Sequence, residues 1–377
     1  MNLDRKHTIL LSILRSGLWQ EEIEYPESFN DWSGLMEIAI NQSVAAIVAK
    51  AILNNQEYLS RIPNDFRLKL KSFLVSNVMA YNSMTDTLKE VYTTLKTSGI
   101  PVVLLKGHSL SINYPYPELR QCGDIDLYVG IENSLAAHKV LSTFCEKIEP
   151  EVAALYGKHF DAIVNKFKIE VHRHTSSHTT RKTKKVYESA SRIGMTEGLD
   201  SVTFGDVEVS TPAVDFYAYY IFDHLFEHFL ISGVGLRHLT DWMLFLTANR
   251  DRINKDNLKR LLVDMDMLEA WQVFGSVLVT YLGMKKEDFP FYAHSDKEEF
   301  VMNCILSDGN FGKSTKYYKG RSNNYLMTKF NAVCCHITRG AQMIRVFPLQ
   351  EMRHFHRVIV NYFEHLLCDI KKNNSRR

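Results

Sequence analysis

A disulfide framework, a membrane span and a large charge imbalance are all missing from this sequence. Its six cysteines (Cys122, Cys145, Cys304, Cys334, Cys335 and Cys368) include no Cys-x-x-Cys pair. That argues against a disulfide scaffold or a cysteine zinc site and for reduced thiols. The longest apolar stretch, at about 216–231, is interrupted by Asp223, His224, Glu227 and His228, so no lipid-crossing helix is expected. Lys and Arg total 45 against 43 Asp and Glu, a balance with no global pull towards nucleic acid or lipid. Repeats and low-complexity tracts are absent, and the charged stretch Met1–Arg15 lacks the cleavage pattern of a signal peptide. A soluble, cytoplasmic protein is the expectation.

What is present is ordinary for a globular chain: 377 residues, 45% hydrophobic and 23% charged, enough for two or three substructures with their own cores. Residues 1–98 read as a helical region, with Leu88, Val91, Tyr92 and Leu95 at helical spacing and Gly99 where a C-terminal cap belongs. Residues 99–211 read as an α/β core and 212–377 as a helical region. The basic run Arg181–Lys185 reads as a solvated loop or helix start. Thr211-Pro212 is expected to open a helix, with threonine as the cap. A basic segment (Lys313, Lys316, Lys319 and Arg321) precedes two amphipathic helices, about Met327–Ile344 and Pro348–Asp369.

The chemistry concentrates in the α/β core. Val102 to Leu105 form an apolar run bounded by Pro101 and Gly107, which predicts a strand and a glycine turn, with a helix starting near Ser109. Such a turn exposes backbone N–H groups that attract phosphate oxygens. Asp124-Ile125-Asp126 follows within a second strand, where side chains two apart share a face. Two carboxylates side by side repel unless a cation lies between them, and a hard divalent ion fits oxygen ligands. A helix is predicted at about Asn133–Cys145. Two strands, 159–164 and 167–172, join at Asn165-Lys166; alternation in the second puts Lys168, Glu170 and His172 opposite Phe167, Ile169 and Val171. Glu170 is therefore the acid best placed to join the aspartates. His224-Leu225-Phe226-Glu227-His228 matches a five-residue zinc-peptidase spacing, but no third ligand is apparent. Arg237 and Asp241 stand at i, i+4 on a helix, the spacing of a helix-stabilising pair.

Lys106-Gly107, then Tyr114-Pro115-Tyr116-Pro117, Arg120 and Asp124-Ile125-Asp126 resemble the uncharacterised bacterial nucleotidyltransferase family proteins, within the superfamily that shares the fold of DNA polymerase beta. Glu170-Val171-His172 matches the family's acid two residues before a histidine. His224, His228, Gly235, Leu236, Arg237 and Asp241 match its later helix pair. The turn departs from the superfamily pattern, since His108 separates Gly107 from Ser109. The resemblance implies an α+β fold with a nucleotidyltransferase-like mixed sheet flanked by N-terminal and C-terminal helices. It also implies NMP transfer from an NTP to a hydroxyl acceptor, with Mg²⁺ or Mn²⁺ on Asp124, Asp126 and Glu170. Lys106, Gly107, Ser109, Arg120 and Arg237 are the expected phosphate contacts, with Asp241 orienting Arg237. The acceptor is open: small molecule, sugar, peptide, protein or RNA. The rival is a non-catalytic scaffold that keeps the acids. On repulsion alone, removing Asp126 is expected to leave stability unchanged or raised.

Overall fold

A computed structural model describes residues 3–175, 178, 180–310 and 338–357. Helices come first: α1 (Arg5–Trp19), α2 (Trp32–Asn41), α3 (Ala45–Asn54), α4 (Gln56–Arg61) and the 34-residue α5 (Asn64–Thr97). Side-chain oxygens of Asp4, Asp31 and Asn55 accept from the N–H groups of His7, Gly34 and Tyr58, capping α1, α2 and α4. Gly99, just past α5, takes φ of 78°, the left-handed residue that commonly ends a helix.

The α/β part follows: β1 (Val103–Leu104), β2 (Asp124–Tyr128), α6 (Gly130–Leu141), β3 (Lys147–Ile148), α7 (Glu151–Tyr156), β4 (His159–Val164), β5 (Phe167–His172), α8 (Arg181–Thr196), β6 (Asp200–Phe204) and β7 (Val207–Thr211). The main sheet runs β1-β2-β5-β4-β3, with β2 and β5 parallel and the other neighbours antiparallel. β6 and β7 form a separate hairpin. At the β4–β5 turn both Asn165 and Lys166 have positive φ, 49° and 71°, as a two-residue type I′ turn requires. That turn sets the register, with Asp161 opposite Glu170 and His159 opposite His172.

Alternation then sorts the side chains. Ile125, Leu127, Phe160, Ala162, Ile169 and Val171 are buried in one cluster with Leu88, Val91 and Leu95 of α5 and Ala137 and Leu141 of α6. Each large apolar side chain so buried contributes about 1.5–3 kcal/mol. The opposite face of the sheet carries the polar residues.

Further helices are α9 (Val214–Ile231), α10 (Leu236–Asn249), α11 (Lys255–Asp264), α12 (Leu268–Leu282) and α13 (Glu298–Asp308). They share a core with the first helices, in which Leu10, Leu14 and Ile47 join Phe222, Trp242 and Trp271. Trp19 Nε1 donates to the carbonyl of Leu282 at 2.7 Å, tying the two ends together. The result is an α+β protein with a mixed sheet and flanking helices, and no described helix is long and apolar enough to cross a membrane.

Some boundaries differ from the sequence reading. The helix expected at Asn133 begins at Gly130, and Asn133 Nδ2 instead donates back to the carbonyl of Val129. Thr211 caps nothing; it is the last residue of β7, paired with Asp200, and α9 begins at Val214. The helix expected from Ser109 is a 3-10 helix, Gly107–Asn113. Arg181–Lys185 opens α8, where Lys182 pairs with Asp266 at 3.1 Å. The segment from Lys313 to Arg321, and most of the two last expected helices, lie outside the described residues; 338–343 and 348–357 are helical.

One buried ion pair fastens the α/β part to the helices. Arg120 donates from Nε and Nη2 to the two oxygens of Asp241 at 2.8 and 2.7 Å, and Tyr114 donates to Asp241 Oδ1 at 2.6 Å. Both charged side chains are almost fully buried, at 4% and 6% exposure. Removing one partner of such a pair strands the other charge. Asp241→Ala is therefore expected to lower folding stability by about 3–5 kcal/mol; a urea midpoint within error of wild type would contradict this.

Candidate active site

The polar face of the sheet is organised by register. β2 and β5 pair in parallel, with Asp126 beside Glu170, and β4 brings Asp161 to the other side of Glu170. Three carboxylates thus stand in one row across three strands, about 4.8 Å apart along the backbone. The next row is Tyr128, His172 and His159, and the preceding one holds Asp124 beside Lys168. Like charges directly opposite each other destabilise a sheet, so the row needs cations.

The chain supplies several. Lys106, just past β1, donates to Asp126 Oδ1 at 2.5 Å. His172 donates from Nε2 to the same oxygen at 2.8 Å and lies 3.5 Å from Glu170 Oε2. Lys168 bridges Glu170 Oε1 at 2.6 Å and Asp161 Oδ2 at 2.9 Å. Asp126 is only 1% exposed. Burial alone would raise its pKa, but Lys106 and then His172 outweigh burial and hold its carboxyl below the usual range. Burial also works against ionised Glu170, whose pKa is nonetheless lowered by the bonds to His172 and Lys168. For His172, burial disfavours the cation and the carboxylate bonds win, raising its pKa. Asp124 goes the other way: burial first, and the charge of Asp126 second, push it up. The donors are carboxylates and imidazoles, and Asp161 Oδ1, His159 Nδ1 and His172 Nδ1 are buried without hydrogen-bond partners. This set fits a divalent cation.

The structure therefore brings Asp124, Asp126, Glu170 and Lys106 together. Arg237 lies near enough for its charge to favour ionised Asp124; its Nη1 donates to the carbonyl of Gln121 at 2.8 Å, and its Nε is buried without a partner. Gly107 opens the 3-10 helix with φ of 73°, and no side chain caps that turn.

Other expected contacts fall elsewhere. Ser109 is 1% exposed; its hydroxyl is engaged by the carbonyl of Leu105 and by Tyr217, so it faces the interior rather than a phosphate. Arg120 is locked to Asp241. Asp241 therefore orients Arg120, not Arg237 as its helical spacing suggests. His108, the residue that interrupts the turn, is a core group: it stacks on Tyr81 with ring centroids 4.5 Å apart and bonds Thr85 at 2.7 Å. Burial lowers its pKa to about 3, so it stays neutral. His224 and His228 face each other across 3.2 Å between Nε2 atoms, whereas Glu227 turns away to Arg357 at 3.1 Å.

His159, Asp161 and Lys168 are the site neighbours that the sequence reading missed. The signal was available, since a two-residue turn at Asn165-Lys166 places Asp161 opposite Glu170 and His159 opposite His172 once both strands are assigned.

A family model described as uncharacterised nucleotidyltransferase matches residues 28–281. It covers well over half of the chain, which belongs to that family. No curated protein and no solved structure matches.

The bonds to Asp126 overturn the expectation that removing it is harmless. In Asp126→Ala, Lys106 and His172 lose their shared acceptor in a largely buried setting. The metal-free variant is expected to be less stable by about 3 kcal/mol, at the low end for a broken buried pair because Lys106 keeps some solvent contact. An unchanged or raised melting temperature would show that carboxylate repulsion dominates instead.

Proposed function

We propose that this member of the nucleotidyltransferase family moves an NMP group from an NTP to a hydroxyl-bearing acceptor and releases pyrophosphate. The observation that carries the reading is the row Asp126–Glu170, with Asp124 beside it, on the polar face of the sheet. Asp124, Asp126 and Glu170 are the residues that would hold Mg²⁺ or Mn²⁺. Bound there, such ions neutralise phosphate charge and ease ionisation of the acceptor hydroxyl.

The chain's own groups have separate tasks in this reading. Lys106 lies 2.5 Å from Asp126, and a long flexible ammonium can swing from a carboxylate to a phosphate once other cations neutralise the acid. Arg237, with its unpartnered Nε, is the second phosphate contact. Gly107 serves the turn to the triphosphate because its φ of 73° is a conformation that other residues rarely adopt. Ser109 and Arg120 support the turn from behind. The acceptor oxygen adds to the α-phosphorus, the bond to the bridging oxygen breaks, and pyrophosphate leaves with that electron pair. The hydroxyl proton passes to a site carboxylate. The cytoplasm, where NTPs and Mg²⁺ are available, is the proposed location.

One observation favours a second reading. Lys106 and Lys168 already neutralise the acids within the chain, as a non-catalytic scaffold on this fold would need. NTP binding separates the two. The enzyme is expected to bind NTP tightly with Mg²⁺ and weakly after EDTA, because without the cation the carboxylates, Asp124 above all, repel a triphosphate; equal affinity by calorimetry in both conditions would favour the scaffold.

Within the enzyme reading, Glu170→Gln keeps the side chain's shape and removes its charge. Its expected signature is a fall in kcat of about 10²-fold or more with KM for NTP little changed, an interaction lost mainly in the transition state. Wild-type turnover in this variant would remove Glu170 from the acid set.

A further inference from the structure

The nucleotide reading leaves two histidines of the sheet face without a task. His159, Glu170 and His172 each offer one ligand atom, and the three atoms lie within 4.8 Å of one another. Side-chain exposure of His172 is only 7%, yet its Nδ1 has no hydrogen-bond partner, nor has His159 Nδ1; Asp161 Oδ1 meets His159 Nε2 only at 3.6 Å. Buried side chains so incompletely bonded favour an occupant that reorganises the cluster.

The spacing suits an ion. Ligand atoms bound at about 2.0–2.2 Å around one metal sit roughly 3.0–3.5 Å apart. His172 Nε2 lies 2.8 Å from Asp126 Oδ1 and 3.5 Å from Glu170 Oε2, which brackets that range. Glu170 is divided between tasks: Oε1 accepts from Lys168 at 2.6 Å, while Oε2 faces the histidine. Coordination would displace the Nε2 proton of His172, and its Nδ1, now without a partner, can carry the proton of the neutral ring.

We propose that His159, Glu170 and His172, with Asp126 alongside, form a seat for a first-row transition ion of the Mn²⁺ to Zn²⁺ class in preference to Mg²⁺. Imidazole nitrogen favours such ions. Mg²⁺ demands near-octahedral oxygen ligation and gives up water reluctantly, so two imidazoles count against it. Asp124 stands a row away beside Lys168 and belongs to the nucleotide side of the face. The ion's part in turnover rests on the nucleotidyl-transfer reading; its binding does not.

The test uses the full chain, stripped with EDTA and free of nucleotide. Co²⁺ is followed by visible absorption and Zn²⁺ by calorimetry. The tightest Zn²⁺ site is expected to weaken at least about 10-fold in His159→Gln and in His172→Gln. His159 is only half-buried, so metal-free His159→Gln should melt near wild type; if His172→Gln does not fold, His159→Gln decides alone. Equal Zn²⁺ affinity in wild type and His159→Gln, or full competition by equimolar Mg²⁺, would overturn the proposal. Mg²⁺–NTP binding measured on the same samples separates the two readings. Its persistence beside a failed Zn²⁺ site sinks only this inference, and its absence beside an intact Zn²⁺ site sinks only the nucleotide reading.

Discussion

Register forces Asp126, Glu170 and Asp161 into one row of a sheet, and much of the surrounding design answers that constraint. Negative side chains this close raise each other's pKa or draw in positive charge. Here the balance is struck by Lys106, Lys168 and His172, which reach the row from just past β1 and from β5 itself. Asp124 has weaker compensation, and its carboxyl alone among Asp124, Asp126 and Glu170 is pushed up rather than down. The face thus holds negative charge in a graded form, with carboxyl pKa values pulled down at the centre and pushed up at one side.

The positive partners differ in what they can release. Lys168 spans two carboxylates and sits on the same strand as Glu170, so its ammonium must give up two contacts to leave. Lys106 lies beyond the short β1 and immediately before Gly107, at a point where the backbone turns from strand to 3-10 helix. Its ammonium can leave Asp126 by rotating its own side chain. This asymmetry separates a cation held by two acids from one held by a single acid.

Much of this was legible in the sequence because it depends on short-range rules. Alternation in Phe167–His172 places Glu170 on the polar face, and Asp-x-Asp in an apolar strand gives two acids on one side. The helical flanks follow from apolar periodicity, whereas the mixed sheet was what the family resemblance implied. What escaped needed partners distant in sequence. Arg237 and Asp241 are one helical turn apart, which suggests a local pair, but Arg120 meets Asp241 from 121 positions away with two hydrogen bonds in a buried setting. A bidentate buried pair outweighs a helical one worth roughly 0.3–0.5 kcal/mol. Ser109 looked like a phosphate ligand for the same reason: its position after the glycine turn is local, whereas Tyr217, which engages its hydroxyl, comes from α9.

His108 shows how the turn and the core depend on each other. A glycine turn that binds phosphate needs freedom on one side and rigid support on the other. Gly107 supplies the freedom through its positive φ. His108 supplies the support: fully buried, stacked on Tyr81, beside Phe204 and bonded to Thr85 of α5. The long helix that backs the sheet therefore also braces the turn, and Arg120, locked to Asp241, braces it from the helical side. A group with a pKa near 3 stays uncharged at neutral pH and adds no field of its own to the row of acids. The residue that makes the turn depart from the superfamily pattern is thus a structural anchor, and the charge of the site is left to Lys106, Lys168, His172, Arg237 and the carboxylates.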